Sequence, residues 1–140
     1  RSELESRWLG LRKKLLDSLE DVEHCFVLGT PEESLPNTLN LGFQGISAES
    51  LLICLDLDGI AVSSGSACSS GAMEASHVLL AMGYSHEQAK SSLRISMGWN
   101  TSEEDIEELS RQLIHHVKRL TPISGKLDSN IQIPEPVTEI

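Results

Sequence analysis

The stretch Ser91-Ser92-Leu93-Arg94-Ile95-Ser96-Met97-Gly98 decides how this chain is built. Leu93, Ile95 and Met97 alternate with Arg94 and Ser96, the two-residue period of a strand with one buried face. Upstream, Leu35-Pro36-Asn37-Thr38-Leu39-Asn40-Leu41-Gly42-Phe43 opens as a proline turn. It then sets Leu39, Leu41 and Phe43 on one side, which predicts a second half-buried strand. Two further strands are predicted, from Val22 to Leu28, ended by Gly29 and Pro31, and from Ile60 to Val62.

Around these strands the period changes to that of helices. Leu4, Trp8, Leu11, Leu15 and Leu19 recur at helical spacing behind a capping box of Ser2 and Glu5. Ser47 is a natural N-cap for a helix through Leu51, Leu52 and Leu55, closed by Gly59. Met73 to Met82 reads as helical up to Gly83, and Ser85-His86-Glu87-Gln88 opens a short helix. A third box, Thr101 to Glu104, opens a long helix whose buried stripe is Ile106, Leu109, Leu113, Val117 and Leu120. Strands and helices interleave without a regular βαβ beat. The predicted architecture is α+β, a small sheet covered on one face by helices. Residues 1–122 form one domain in this reading. Residues 123–140, with Pro134 and Pro136 and no periodicity, form a loosely held tail.

Composition narrows the function. Eleven basic and 21 acidic residues give a formal net charge of −10, which repels phosphate backbones and argues against nucleic-acid binding. No apolar run approaches the length of a spanning helix, and no signal-peptide pattern stands at the start, so no membrane role is expected. The chain begins at Arg1 rather than Met, as expected of a fragment or a processed product. Its cysteines, Cys25, Cys54 and Cys68, are odd in number and never form a C-x-x-C pair. Free thiols in the cytoplasm or another reducing compartment are therefore expected.

Chemistry-bearing residues are few. Ser63 to Ala72 holds no large side chain, so the run is expected to be a mobile loop carrying Cys68. Cys68 reads either as a nucleophile that needs reach or as an incidental thiol in a connector. Cys25 and Cys54 lie within apolar alternation and read as small hydrophobes. Arg94, inside an apolar strand, either snorkels to the surface or faces an anion; its rigid fork suits a carboxylate held at two points. His115 and His116 are adjacent on a helix and point apart, a weak metal signal, and no metal site is predicted.

Several of these segments together resemble one family. Ile60-Ala61-Val62-Ser63-Ser64-Gly65-Ser66-Ala67-Cys68-Ser69-Ser70-Gly71 resembles the active-site loop of cysteine desulfurases of the NifS/IscS type. The runs Ser76 to Gly83, Ser91 to Gly98 and Leu35 to Asn40 resemble the same family in the same order, so the likeness spans roughly residues 4 to 120. It implies the C-terminal small domain of a fold-type I pyridoxal-phosphate enzyme. Cys68 then matches the catalytic nucleophile that takes sulfur from L-cysteine as a persulfide, releasing alanine. Arg94 matches the arginine that holds the substrate α-carboxylate. The implied partners are an iron–sulfur scaffold or other sulfur-acceptor protein, the enzyme's own large domain, and a second copy in a homodimer. An alternative is a sulfur-carrier or scaffold-docking module without catalysis of its own.

Two positions depart from the family's usual pattern: Ile95 where an aromatic residue is common, and Trp99 where arginine is common. Pyridoxal phosphate is expected to be bound by the large domain and not by this chain. Lys13, Lys14, Lys90, Lys118 and Lys126 all lack the context of the family's cofactor lysine, so the chain alone is predicted to be inactive.

Overall fold

The computed structural model describes residues 2–29, 35–55, 57, 59–64, 67–69, 72–74 and 77–121. Helix α1 (Glu3–Ser18) is followed by strands β1 (Cys25–Val27) and β2 (Thr38–Phe43), helix α2 (Ala48–Cys54) and strand β3 (Ile60–Ser64). Then come β4 (Ala67–Ser69), β5 (Ala72–Glu74), helices α3 (His77–Ala81) and α4 (His86–Lys90), strand β6 (Ser92–Met97) and helix α5 (Glu103–Leu120). The expected tail, 123–140, lies outside the described residues.

The main sheet has the order β1-β2-β6-β3, antiparallel throughout, so the run from Ser92 to Met97 is a central strand. Leu39, Leu41 and Phe43 of β2 and Leu93, Ile95 and Met97 of β6 share the core face with Cys25 and Ile60. They meet Leu11, Leu15 and Leu19 from α1, Ala48 and Leu51 from α2, and Ile106, Leu109, Leu113 and Val117 from α5. The α+β reading, one sheet face covered by helices, holds. Leu120 completes the predicted stripe only at its margin, partly buried.

Helices α1 and α5 lie side by side and run in the same direction. Trp8 Nε1 donates to the Gly98 carbonyl at 2.9 Å, Lys14 Nζ reaches Glu107 at 2.8 Å, and Ser18 Oγ meets Ser110 Oγ at 2.7 Å. Arg7 also donates to the Trp99 carbonyl. Contacts therefore advance together along both helices.

The opposite sheet face is covered at one end only. Phe26, Leu28 and Tyr84 form a second small cluster there, with Leu79 of α3 against it. The Tyr84 hydroxyl accepts from the Gly29 amide at 2.7 Å, tying the α3–α4 connection to the end of β1. Helix α4 has the predicted capping box: Ser85 Oγ accepts from Gln88 N at 3.0 Å and Gln88 Oε1 accepts from Ser85 N at 2.9 Å.

Three expectations are corrected. The run expected to be a mobile loop contains paired strands, with Ala67↔Glu74, Cys68↔Met73 and Ser69↔Ala72 in antiparallel register. Backbone pairing needs no large side chain, so a composition poor in anchors does not exclude a hairpin. That pairing also takes Met73 and Glu74 from the predicted helix, which shrinks to His77–Ala81. The long helix is capped by Ser102 and Asp105 rather than by Thr101 and Glu104. Thr101 is fully buried, and its hydroxyl accepts from Gly98 N while donating to the Gly59 carbonyl.

Candidate functional site

Because β6 is central, Arg94 and Ser96 on its outward face each have a cross-strand neighbour on both sides. Arg94 stands opposite Asn40 of β2 and opposite Ser63 of β3. Directly paired residues point to one face, with Cβ atoms about 4.5–5.5 Å apart. Asn40, Arg94 and Ser63 therefore form a row across the face away from α1, α2 and α5. The adjoining row is Thr38, Ser96 and Ala61; on the other side Gly42 pairs with Ser92 and with Phe26, where the aromatic cluster begins.

The strand is pinned firmly under this row. Met97 N donates to the Asn37 carbonyl at 2.8 Å, and Asn37 Nδ2 returns a bond to the Met97 carbonyl at 3.1 Å. Leu28 N donates to the Asn40 carbonyl at 3.0 Å, and Ser92 Oγ donates to the Ala89 carbonyl at 2.7 Å. Leu93 and Ile95, on either side of Arg94 in sequence, are fully buried. The backbone under Arg94 is thus held by core packing while its side chain is exposed.

The ion pairs among the described residues join Lys13 to Asp17, Lys14 to Glu103 and Glu107, and Arg111 to Glu108. None takes Arg94. Its guanidinium stands in a row whose other members are an amide and a hydroxyl. Of the two readings left open by the sequence, the side chain does reach the surface, and it does so where an anion could be gripped at two points.

Cys68 sits mid-strand in β4, opposite Met73. The hairpin follows closely on β3, whose Ser63 neighbours Arg94. Arg94 and Cys68 belong to separate sheets, and their connection runs through β3.

The other two cysteines differ from each other. Cys25 is a buried free thiol facing the core, and burial pushes its pKa up to about 12. Such a thiol is inert at neutral pH. Cys54 departs from the expectation of a buried hydrophobe: it is half-buried at the end of α2, and Arg119 Nη2 donates to its Sγ at 3.0 Å. Arg119 also contacts His116 Nδ1 at 3.2 Å. Burial first, then the Arg119 and His115 charges, lower the pKa of His116. His115 and His116 meet edge to face with centroids 4.9 Å apart. Among the described residues, no three His, Cys, Asp or Glu side chains gather as a metal site, and no helix is long and apolar enough to cross a membrane.

Pyridoxal phosphate, the cofactor that the sequence resemblance implies, needs a lysine, an acid for its ring nitrogen and donors for its phosphate. Lys13 and Lys14 are in ion pairs on α1, Lys90 ends α4 and Lys118 lies in the last turn of α5. None stands in the row of Arg94, and the described residues do not fit the cofactor's holding set.

Sequence reasoning singles out Arg94 but misses Asn40 and Ser63. The alternation of β2 already sets Asn40 opposite to Leu39 and Leu41. Only the register shows that it is Arg94's neighbour.

The class-V aminotransferase family pattern matches residues 2–109, and the chain belongs to that family. Among curated relatives, "Cysteine desulfurase IscS 1" of Archaeoglobus fulgidus is 39% identical over 114 residues, covering 81% of this chain and 30% of that protein. "Cysteine desulfurase NifS" of Azotobacter vinelandii is 40% identical over 128 residues, covering 91% and 32%. The solved structure of a NifS-like protein from Rickettsia africae superposes with a TM-score of 0.68 at 30% identity, covering 84% of this chain and 30% of that one. The chain thus spans about 30% of the length of the relatives it matches.

Proposed function

We propose that this chain is the small, C-terminal domain of a cysteine desulfurase, supplying two groups to an active site completed by the rest of the family's fold. Arg94 grips the α-carboxylate of L-cysteine. Cys68 receives the sulfur. The observation that carries this reading is Arg94 itself, exposed and without a described counter-ion at the centre of a rigid sheet. The likeness to proteins named cysteine desulfurase supports the same reading.

In net terms the Cβ–Sγ bond of L-cysteine breaks and a sulfur–sulfur bond forms at Cys68. L-cysteine and the Cys68 thiol become alanine and the Cys68 persulfide, with every atom accounted for and no outside oxidant or reductant. Pyridoxal phosphate is held outside this chain in this proposal. The persulfide then passes to an acceptor protein of iron–sulfur cluster assembly, in the cytoplasm or another reducing compartment.

The test mixes this chain with the cofactor-binding portion of a class-V relative, pyridoxal phosphate and L-cysteine. Alanine release together with a one-sulfur mass gain on the Cys68 peptide is the expected result. Both are lost in Cys68→Ser and in Arg94→Ala. A persulfide that forms equally well in Arg94→Ala would overturn the carboxylate role and favour a sulfur carrier, which has no use for such a grip. Alanine released by the chain with the cofactor alone would overturn the division of labour.

A further inference from the structure

The neighbours of Arg94 are neutral, and that neutrality has a chemical consequence. A guanidinium on an antiparallel sheet has two direct cross-strand partners, both close enough to meet its stem or its fork. At such a position an acid forms an ion pair, and the arginine is then occupied before any ligand arrives. Here the partners are Asn40 and Ser63, and the next row offers Thr38, Ser96 and Ala61. This is a chain with 21 acidic residues against 11 basic ones, yet none of these five positions carries an acid.

We infer that Asn40 is a positioning residue for anion capture: its neutral side-chain carbonyl orients the Arg94 guanidinium across the strand without neutralising it. An amide oxygen accepts an N–H as a carboxylate does, but it brings no net charge. Asn40 is half-buried and its own carbonyl is tied to Leu28 N at 3.0 Å, so the side chain starts from a fixed backbone. Ser63, on the other flank, is likewise half-buried and neutral. The arginine is left as the single charge in the row, framed by acceptors. This inference rests on the carboxylate role of Arg94 proposed above.

The experiment is a titration of the full 140-residue chain with L-alanine, the product that carries the same α-carboxylate, followed through the Arg94 Nε–Hε resonance. Wild type is expected to show a saturable shift. Asn40→Asp, nearly identical in shape, is expected to weaken that binding by about tenfold or more because the introduced carboxylate pairs with Arg94. Asn40→Ala is expected to weaken it by about two- to fivefold, through lost orientation alone. Unchanged amide resonances in β2 and β6 report that the sheet is intact. Should Asn40→Asp fold poorly, Ser63→Asp places the same charge on the opposite flank and is expected to weaken binding likewise. If either Asn40 variant titrates as wild type does, the positioning role is overturned while the carboxylate role stands. If wild type shows no shift at all, the row does not capture a carboxylate by itself and this inference fails, whereas the carboxylate role in the completed active site is decided by alanine release from Arg94→Ala with the cofactor-binding portion present.

Discussion

The ring of Phe26 occupies the space that a side chain on Gly42 would fill. The two are direct partners across β1 and β2, and a Cβ built on Gly42 would overlap Cζ, Cε1 and Cε2 of Phe26. The aromatic ring lies over bare backbone, which lets the second cluster of Phe26, Leu28 and Tyr84 sit close to the sheet. Gly42→Ala is therefore expected to destabilise by about 1–3 kcal/mol, as overpacking does. Urea unfolding checks this, and the double variant with Phe26→Leu should recover part of the loss. Additive losses would mean that the ring is not the obstacle.

Gly59 is constrained twice. Its φ is +84°, and an added Cβ would meet Asp105 Oδ2 at 2.7 Å. That carboxylate also accepts from Ser102 N at 2.9 Å, closing the capping box of α5. Gly59→Ala should cost roughly 1–3 kcal/mol from backbone strain and the displaced carboxylate. Ser102→Ala, which removes the cap alone, should cost about 1 kcal/mol. Equal losses in thermal unfolding would count against the strain.

The buried thiol of Cys25 makes stability depend on alkaline pH. Its pKa is raised by burial from an ordinary 9.0 to about 12. Between those values the folded state holds a proton that the unfolded chain releases, so stability is full below pH 9 and falls as pH rises. The slope is at most about 1.4 kcal/mol per pH unit. Cys25→Ala should flatten the alkaline limb of a stability–pH curve. In the native protein at neutral pH, an alkylating reagent should label Cys54 well before Cys25; the reverse order would contradict the burial.

Leu113 lies fully buried on α5 among the core residues of the sheet and of α1. Leu113→Ala should cost about 2–5 kcal/mol, the range for a deleted core side chain that leaves a cavity. Arg94→Ala, by contrast, removes an exposed side chain and should change stability by no more than about 0.5 kcal/mol. Chemical denaturation of both variants separates a residue that holds the fold from one that the fold holds up.

Residues on one face of one element are the most legible in the sequence. Leu39, Leu41 and Phe43, or Leu93, Ile95 and Met97, declare their strands by alternation because half-burial imposes it. Arg94 stands out for the same reason, as the polar exception. Asn40 and Ser63 do not, since register is a relation between strands and no single stretch encodes it. The cap of α5 is displaced by one residue because Thr101 and Ser102 both satisfy the capping pattern. A contact with Gly59, 42 residues away from Thr101, decides between them. The pairing of 67–69 with 72–74 escapes notice because these strands carry no apolar alternation to announce them.

The parallel alignment of α1 and α5 bears on the order of folding. Their contacts join residues 90 to 93 positions apart, from Trp8–Gly98 to Lys14–Glu107. During synthesis α1 is made long before the helix that completes its apolar seat, and Leu11 and Leu15 must wait on it. Loop closure over such distances slows folding, and the waiting surface is exposed to mispairing meanwhile. Helix α5 acts as the keystone, since Ile106, Leu109, Leu113 and Val117 reach the core only once it has been made.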